Sequence, residues 1–134
     1  MKSKSTLPRD VFSKFDIRGT YPDKITKELV TTVAQTLATK VFKKGRVAIG
    51  HDARVSSPEL YQAAKSALEA IPEIEVVEIG LASTPMMTFA VNHLEASGGF
   101  MITASHNPKE YNGIKAMGQG GEPISGEDIY KLLE

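Results

Sequence analysis

Short apolar segments alternate with helix-like stripes along this chain, and the alternation is what most constrains its fold. Apolar residues recur at helical spacing over about 26–43, from Ser56 or Ser57 onward, and again from Thr84. Between them lie segments that are typical of strands, at 47–49, 75–79 and 98–104. Strands that alternate with helices favour an α/β architecture in which the helices cover a largely parallel sheet.

A further strand is predicted at 113–117, about eight residues beyond segment 98–104. That connection is too short for a helical crossover, so these two strands should run antiparallel. We therefore predict a three-layer α/β domain with a mixed, mainly parallel β-sheet flanked by helices.

Helix starts are marked by residues that can cap them. Thr26 is the predicted N-cap of the first helix. Two starts are open for the second, a Ser56–Glu59 capping box or Ser57 followed by Pro58. Ser125 is the predicted start of a last helix.

A separate prediction applies to each end of the chain. Residues 1–11 are polar and are predicted to be a flexible lead-in. The helix over 125–134 has no Gly or Pro stop signal, so we expect it to be truncated.

Composition restricts the classes of protein that remain. A length of 134 residues suits one domain, 1–134, and no cysteine is present for a disulfide or a thiolate. No apolar run approaches the ~20 residues of a membrane span, and no signal peptide is recognisable. The formal net charge is zero, and basic residues are not interleaved with aromatics. We expect no membrane or nucleic-acid partner, and a cytoplasmic location.

Segment 98–115 contains the residues that most strongly indicate a chemical function. The apolar run Phe100–Ile102 leads to Ser105, and Asn107 with Pro108 turns the chain just afterwards. A serine is a weak nucleophile unless its surroundings activate it or it already carries the group to be transferred. The turn should expose the hydroxyl and direct several backbone N–H groups at one point, which suits a phosphoryl group.

Three ordered motifs carry a resemblance to a known family. Residues 103–108 with 111–115 resemble the active-site serine loop of the α-D-phosphohexomutases, and the phosphomannomutase/phosphoglucomutase group within them. Residues 15–19 and 50–57 match two further motifs of that family, in the expected order. The resemblance covers nearly the whole chain but only the first, phosphoserine-bearing domain of the four that the family has.

The resemblance implies an isomerase of carbohydrate metabolism. Ser105 would carry a phosphoryl group, give it to a hexose phosphate and take it back from the other position, through a hexose bisphosphate. Mg²⁺ would contact the phosphoryl oxygen on Ser105 and take its main ligands from a second domain, because this chain has no Asp-x-Asp-x-Asp. The motifs favour mannose and glucose phosphates over glucosamine phosphate as the substrate.

Two cations are predicted to act with Ser105. Lys115 could neutralise charge or assist proton transfer, and the alternative is a solvated lysine at a sheet edge. Arg18 suits phosphate oxygens, and the alternative is a salt bridge with Asp16, Asp52 or Asp10. His106 is assigned a modest role, either on a phosphate oxygen or in holding the loop, and a Ser-His catalytic pair is rejected.

The remaining candidate residues are predicted to support the site without acting on the substrate. Asp52 and Arg54 are predicted to pair and hold the loop, rather than to act on substrate, and Asn107 supports the turn. Gly118, Gly120 and Gly121 are interpreted as a flexible loop. His51 and His93 lack ligand-like spacing, so no His-based metal site is expected.

Two functions from different classes remain open at this stage. The first is the phosphoserine-bearing domain of a phosphohexomutase, inactive without the other three domains. The second is a non-catalytic module that binds an anion or a partner and retains the serine loop.

Overall fold

A computed structural model describes residues 6–133 of the protein. Its regular elements follow one another as the alternation predicts. The strands are β1 (Ile17–Thr20), β2 (Gly45–His51), β3 (Ile74–Leu81), β4 (Gly98–Ile102), β5 (Tyr111–Met117) and β6 (Pro123–Ile124). The helices are α1 (Lys27–Leu37), extended by a π-helical turn (Ala38–Phe42), α2 (Ser57–Glu69), α3 (Thr84–His93) and α4 (Gly126–Leu132).

The described strands form one mixed sheet in the order β1-β5-β4-β2-β3, with β6 beside β5. β2 pairs in parallel with β3 and with β4, whereas β5 pairs antiparallel with β1, β4 and β6. The mixed sheet and the antiparallel pairing of β4 with β5 are therefore confirmed. The parallel part of the sheet is β4-β2-β3, whereas β5 returns from β4 through a short loop and pairs antiparallel with each of its neighbours.

Successive residues of the central strands point into two different cores. Ile49, Phe100 and Ile102 join the larger core beneath α1, α2 and α4. Ala48, next to Ile49, and Met101, between Phe100 and Ile102, join the smaller core beneath α3. This alternation is the period-two pattern of strands buried on both faces, and it gives the predicted three layers.

Two of the predicted caps are confirmed. The Thr26 hydroxyl accepts the Leu29 N–H at 3.0 Å, and the Ser125 hydroxyl accepts the Asp128 N–H at 3.0 Å. The predicted start of α2 at Ser56 or Ser57 is confirmed, but neither predicted capping bond forms. Ser56 stands at the N-cap without a capping bond, and the hydroxyls of Ser56 and Ser57 accept from the Asn112 side chain on β5 instead.

The ends of the chain differ from expectation. In the described part of the predicted lead-in, Leu7 and Val11 are buried in the larger core, and a 3₁₀ turn covers Arg9–Val11. Residues 6–11 are thus part of the domain, and residues 1–5 lie outside the described range. Helix α4 ends at Leu132 and Leu133 is already extended, so the helix is shorter than 125–134. Its expected truncation stays a prediction.

Candidate functional site

Ser105 lies exposed on the loop that joins β4 to β5, and its backbone is left-handed, with φ of 56°. Few residues other than glycine adopt this conformation, so surrounding contacts must hold it. The Ser105 N–H donates to the Thr103 hydroxyl at 2.9 Å, and the Asn107 N–H donates to the Ala104 carbonyl at 3.0 Å. These two N–H groups are therefore used inside the loop, so they are not among the donors that could converge on a ligand.

The Arg54 guanidinium organises the loop from below. Nη2 donates to the carbonyls of Ser105 (2.9 Å) and Asn107 (2.7 Å), and Nη1 donates to those of Pro108 (2.7 Å) and Tyr111 (3.1 Å). The side chain is only 13% exposed. One fork thus gathers four carbonyls from both ends of the loop, as the predicted supporting role requires.

Asp52 connects Arg54 to the strand before the serine. It accepts from Arg54 Nε (3.2 Å), from the Ser57 hydroxyl (2.6 Å) and from the Thr103 hydroxyl (2.8 Å). Burial on its own would raise the pKa of Asp52, but the hydrogen bonds from Ser57, Thr103 and the Arg54 N–H, with the guanidinium charge, hold that pKa below its ordinary value. The predicted pair of Asp52 and Arg54 is present, and it lies behind Ser105.

Asn112 has a structural role that the sequence analysis did not predict. It is fully buried, and its Nδ2 donates to the hydroxyls of Ser56 (2.7 Å) and Ser57 (3.0 Å). Its Oδ1 accepts the Gly113 N–H at 2.9 Å. Asn112 therefore fixes the start of β5 against the start of α2, and the motif Tyr-Asn-Gly was its only signal in the sequence.

Arg18 and Lys115 meet at one carboxylate. Arg18 Nε lies 3.2 Å from Asp16 Oδ1, and Lys115 Nζ lies 3.5 Å from Asp16 Oδ2. Arg18 Nη1 also donates to Asn107 Oδ1 at 2.9 Å, so it reaches the serine loop. The salt bridge offered as an alternative for Arg18 is present, with Asp16, alongside this loop contact. Lys115 is not at a sheet edge, because β5 lies between β1 and β4.

A small cleft of about 110 Å³ opens beside Lys115, between β5 and α3. Phe15, Thr84 and Thr88 are among the residues that line it. His106 is exposed, and within residues 6–133 it has no hydrogen bond or ion pair. The structure therefore brings together Ser105, Arg18, Lys115, Asp52, Arg54 and Asn107, and leaves His106 beside them.

The described residues offer little to a metal ion. No three His, Asp or Glu side chains among them lie close enough to form a site, and Asp16 and Asp52 are occupied by cations and hydroxyls. These residues by themselves do not fit a resident Mg²⁺. The glycine loop at 118–121 includes a 3₁₀ turn (Gln119–Gly121), and its Gly121 lines the cleft beside Lys115. No helix in the described range is long and apolar enough to cross a bilayer.

The fold and the site define a three-layer α/β/α domain that presents one serine on a loop held by a guanidinium. The family profile described as phosphoglucomutase/phosphomannomutase, alpha/beta/alpha domain I, matches residues 9–134. The chain therefore belongs to the phosphoglucomutase/phosphomannomutase family, as its domain I.

Similarity to individual proteins supports this family assignment. A Xanthomonas campestris protein named "Phosphohexose mutases" is 42% identical over 91% of this chain and 26% of its own length. A Pyrococcus abyssi protein named "Probable phosphoglucosamine mutase" is 44% identical over 92% of this chain and 28% of its own length. The crystal structure of a Burkholderia thailandensis phosphoglucomutase/phosphomannomutase family protein superposes with a TM-score of 0.82 and 28% identity, covering 95% of this chain and 30% of that one. The chain thus spans between a quarter and a third of the length of these proteins.

Proposed function

We propose that this chain is the phosphoserine-bearing domain of a hexose phosphate mutase, in which Ser105 holds the phosphoryl group that is exchanged. The observation that carries the proposal is the fixed, exposed Ser105 loop, with Arg18 bound to its Asn107 and Lys115 bound to the same Asp16 as Arg18. Phosphoryl transfer depends mainly on positioning and on neutralising charge, and these contacts supply both.

In the first transfer, a sugar hydroxyl oxygen forms a bond to phosphorus while the bond from phosphorus to Ser105 Oγ breaks. The hydroxyl proton leaves to a base, Ser105 Oγ takes up a proton, and the product is a hexose bisphosphate. After the sugar turns over, Ser105 Oγ loses its proton and bonds to the phosphorus at the other position. The bond from that phosphorus to the sugar oxygen breaks, and the sugar oxygen takes up a proton. Arg18 and Lys115 would oppose the negative charge on the moving group, since each keeps N–H donors beyond those bound to Asp16.

Arg54 would act by keeping the nucleophile where it is. Its two terminal nitrogens hold carbonyls on both sides of the turn, so the left-handed Ser105 backbone need not relax between the two transfers. His106 lies at the exposed surface next to Ser105, where it could reach a phosphate oxygen of a bound sugar.

The rest of the reaction needs parts outside this chain. We propose that the phosphoryl oxygen on Ser105 would be this chain's own contribution to a Mg²⁺ site, and that another domain of the parent enzyme would supply the main ligands. The ion would withdraw charge from the phosphoryl group. The cleft beside Lys115 is too small to enclose a hexose phosphate, so other domains would complete the sugar site. The isolated chain should therefore be inactive, and the parent should act in the cytoplasm. The substrate is assigned only as a hexose phosphate, since the names of the relatives differ in their sugar.

The experiment uses the full-length parent enzyme. Conversion of glucose 1-phosphate to glucose 6-phosphate is followed with magnesium and a hexose bisphosphate activator, and intact mass is measured on the purified protein. Ser105→Ala should abolish turnover and remove one phosphoryl group from the mass. Ser66→Ala, at an exposed serine on α2, is the control and should change neither. Full activity of Ser105→Ala would favour the non-catalytic binding module instead.

A further inference from the structure

The buried carboxylate of Asp16 joins two strands and two cations. Asp16 is only 2% exposed, and each of its oxygens faces a different cation, Arg18 at 3.2 Å and Lys115 at 3.5 Å. Ile17 of β1 lies opposite Ile114 of β5, so continuing the antiparallel register by one residue places Asp16 opposite Lys115. An opposite charge directly across two strands holds its partner in place.

The backbone of Asp16 is held by contacts that do not involve the charge of its side chain. The Ser13 N–H and hydroxyl both donate to the Asp16 backbone carbonyl at 2.9 Å, and the Asp16 N–H donates to the Ser13 hydroxyl at 3.2 Å. Gly126 at the start of α4 packs on the same carbonyl, where an added Cβ would lie 2.2 Å from the oxygen. These contacts involve only the Asp16 backbone, so exchanging the carboxylate for an amide should leave the turn intact.

The two cations share one anion, so the cluster keeps a formal charge of +1. Lys115 is 30% exposed and Arg18 is 36% exposed, so both reach the surface from a buried anchor. Arg18 has a second tether through Asn107 Oδ1, whereas the Asp16 contact is the only ion pair or hydrogen bond of the Lys115 side chain within the described residues. Lys115 therefore depends on Asp16 more than Arg18 does.

We infer that Asp16 is a positioning residue for the proposed phosphoryl transfer, which fixes the ammonium of Lys115, and with it the guanidinium of Arg18, against the serine loop. The inference rests on the proposed function. Asp16 does not touch the phosphoryl group. It acts through Lys115 first, so its contribution depends on that lysine being present.

The test is a double-mutant cycle in the full-length parent enzyme. Asp16→Asn should lower kcat by about 10- to 100-fold with KM within about threefold, because it disturbs charge stabilisation in the transition state rather than binding. In a Lys115→Ala background the same substitution should lower kcat by less than about threefold, because no lysine remains to be positioned. Asp10→Asn, at an exposed aspartate that pairs with Lys24, is the matched control and should stay within about twofold.

The outcomes separate the two proposals. An unchanged kcat in Asp16→Asn, an equal loss in both backgrounds, or an equal loss in Asp10→Asn would overturn the role of Asp16 while Ser105→Ala remained inactive. An active Ser105→Ala enzyme would overturn the proposed function, and the role of Asp16 with it. If Asp16→Asn does not fold, Asp16→Glu keeps the charge and displaces the oxygens by one methylene. The same comparisons then apply to it, with the same results expected.

Discussion

Arg18 Nη1 donates to Asn107 Oδ1 at 2.9 Å, a side-chain contact between residues 89 positions apart. It joins the first strand of the sheet to the serine loop. The Asn107 backbone carbonyl accepts from Arg54 Nη2 at 2.7 Å, so one residue receives both arginines, one on its side chain and one on its backbone. Asn107 is therefore bound both by β1 and by the segment that follows β2.

Substitution of Arg54 should test how far loop geometry controls activity. Arg54→Lys keeps the charge but cannot serve four carbonyls with a planar fork. We expect the domain to lose about 1–3 kcal/mol of unfolding free energy and the parent enzyme to lose about 10²-fold in kcat/KM. Urea unfolding and the coupled assay measure these. Arg46→Lys, at a half-exposed arginine on β2, should change both only slightly, and equal effects at the two positions would contradict the organising role.

Gly113 should tolerate no side chain. A Cβ there would lie 2.0 Å from the Ile17 carbonyl oxygen and 2.9 Å from Arg18 Cα, both backbone atoms of the paired strand. Gly113→Ala should therefore separate β1 from β5 and either lower the melting temperature by more than ~10 °C or prevent folding. At Gly118 the nearest atom would be 4.0 Å away, so Gly118→Ala should be nearly neutral. Similar melting curves for the two variants would refute the close strand approach.

Asn112 should matter for stability before it matters for catalysis. Asn112→Ala removes two donors from the Ser56 and Ser57 hydroxyls and leaves the buried Gly113 N–H without its acceptor. The expected cost is about 2–3 kcal/mol in urea unfolding. Asn92→Ala, at an exposed asparagine on α3, should cost less than about 0.5 kcal/mol. A cost at Asn112 as small as that at Asn92 would show that these bonds do not stabilise the fold.

The pH dependence of stability should carry the signature of Asp52. Its pKa is lower in the folded chain than in the unfolded chain, where it is about 3.9. The stabilisation is therefore complete above that unfolded value and is lost as the pH falls through the lower folded value. Unfolding free energies measured from pH 7 to pH 3 should fall more steeply for the wild type than for Asp52→Asn. Parallel curves would show that the carboxylate is not stabilised by its partners.

Sequence patterns predicted the elements that depend on nearby residues. Helical stripes and the caps at Thr26 and Ser125 are local, and the structure agrees with them. The hydroxyls of Ser56 and Ser57 were misassigned because their partner, Asn112, is more than fifty residues away. Local sequence shows that a serine can cap a helix, but not that a distant amide competes for it.

The same distinction between nearby and distant contacts applies to the residues of the site. Ser105, Arg18 and Lys115 lie in recognisable motifs, so they could be named from the sequence. The role of Thr103 between Asp52 and Ser105 depends on β4 running alongside β2, which only the assembled sheet provides. From the sequence alone, Asp16 is only one of three possible partners for Arg18. Its second contact, with Lys115, follows from the pairing of β1 with β5. The catalytic roles themselves stay predictions.

The central position of β5 has a consequence for the order of events during synthesis. β5 is inserted between β1 and β4, and Arg54 needs carbonyls as late as Tyr111. A nascent chain that has emerged only through β4 has Ser105 still to come and no partner for β1. Contacts this distant in sequence form late, because the intervening chain must first be ordered. Chains that end before β5 would thus carry Ser105, if at all, without the contacts that hold its loop. Only a chain that extends past β5 can place the serine hydroxyl as it is described here.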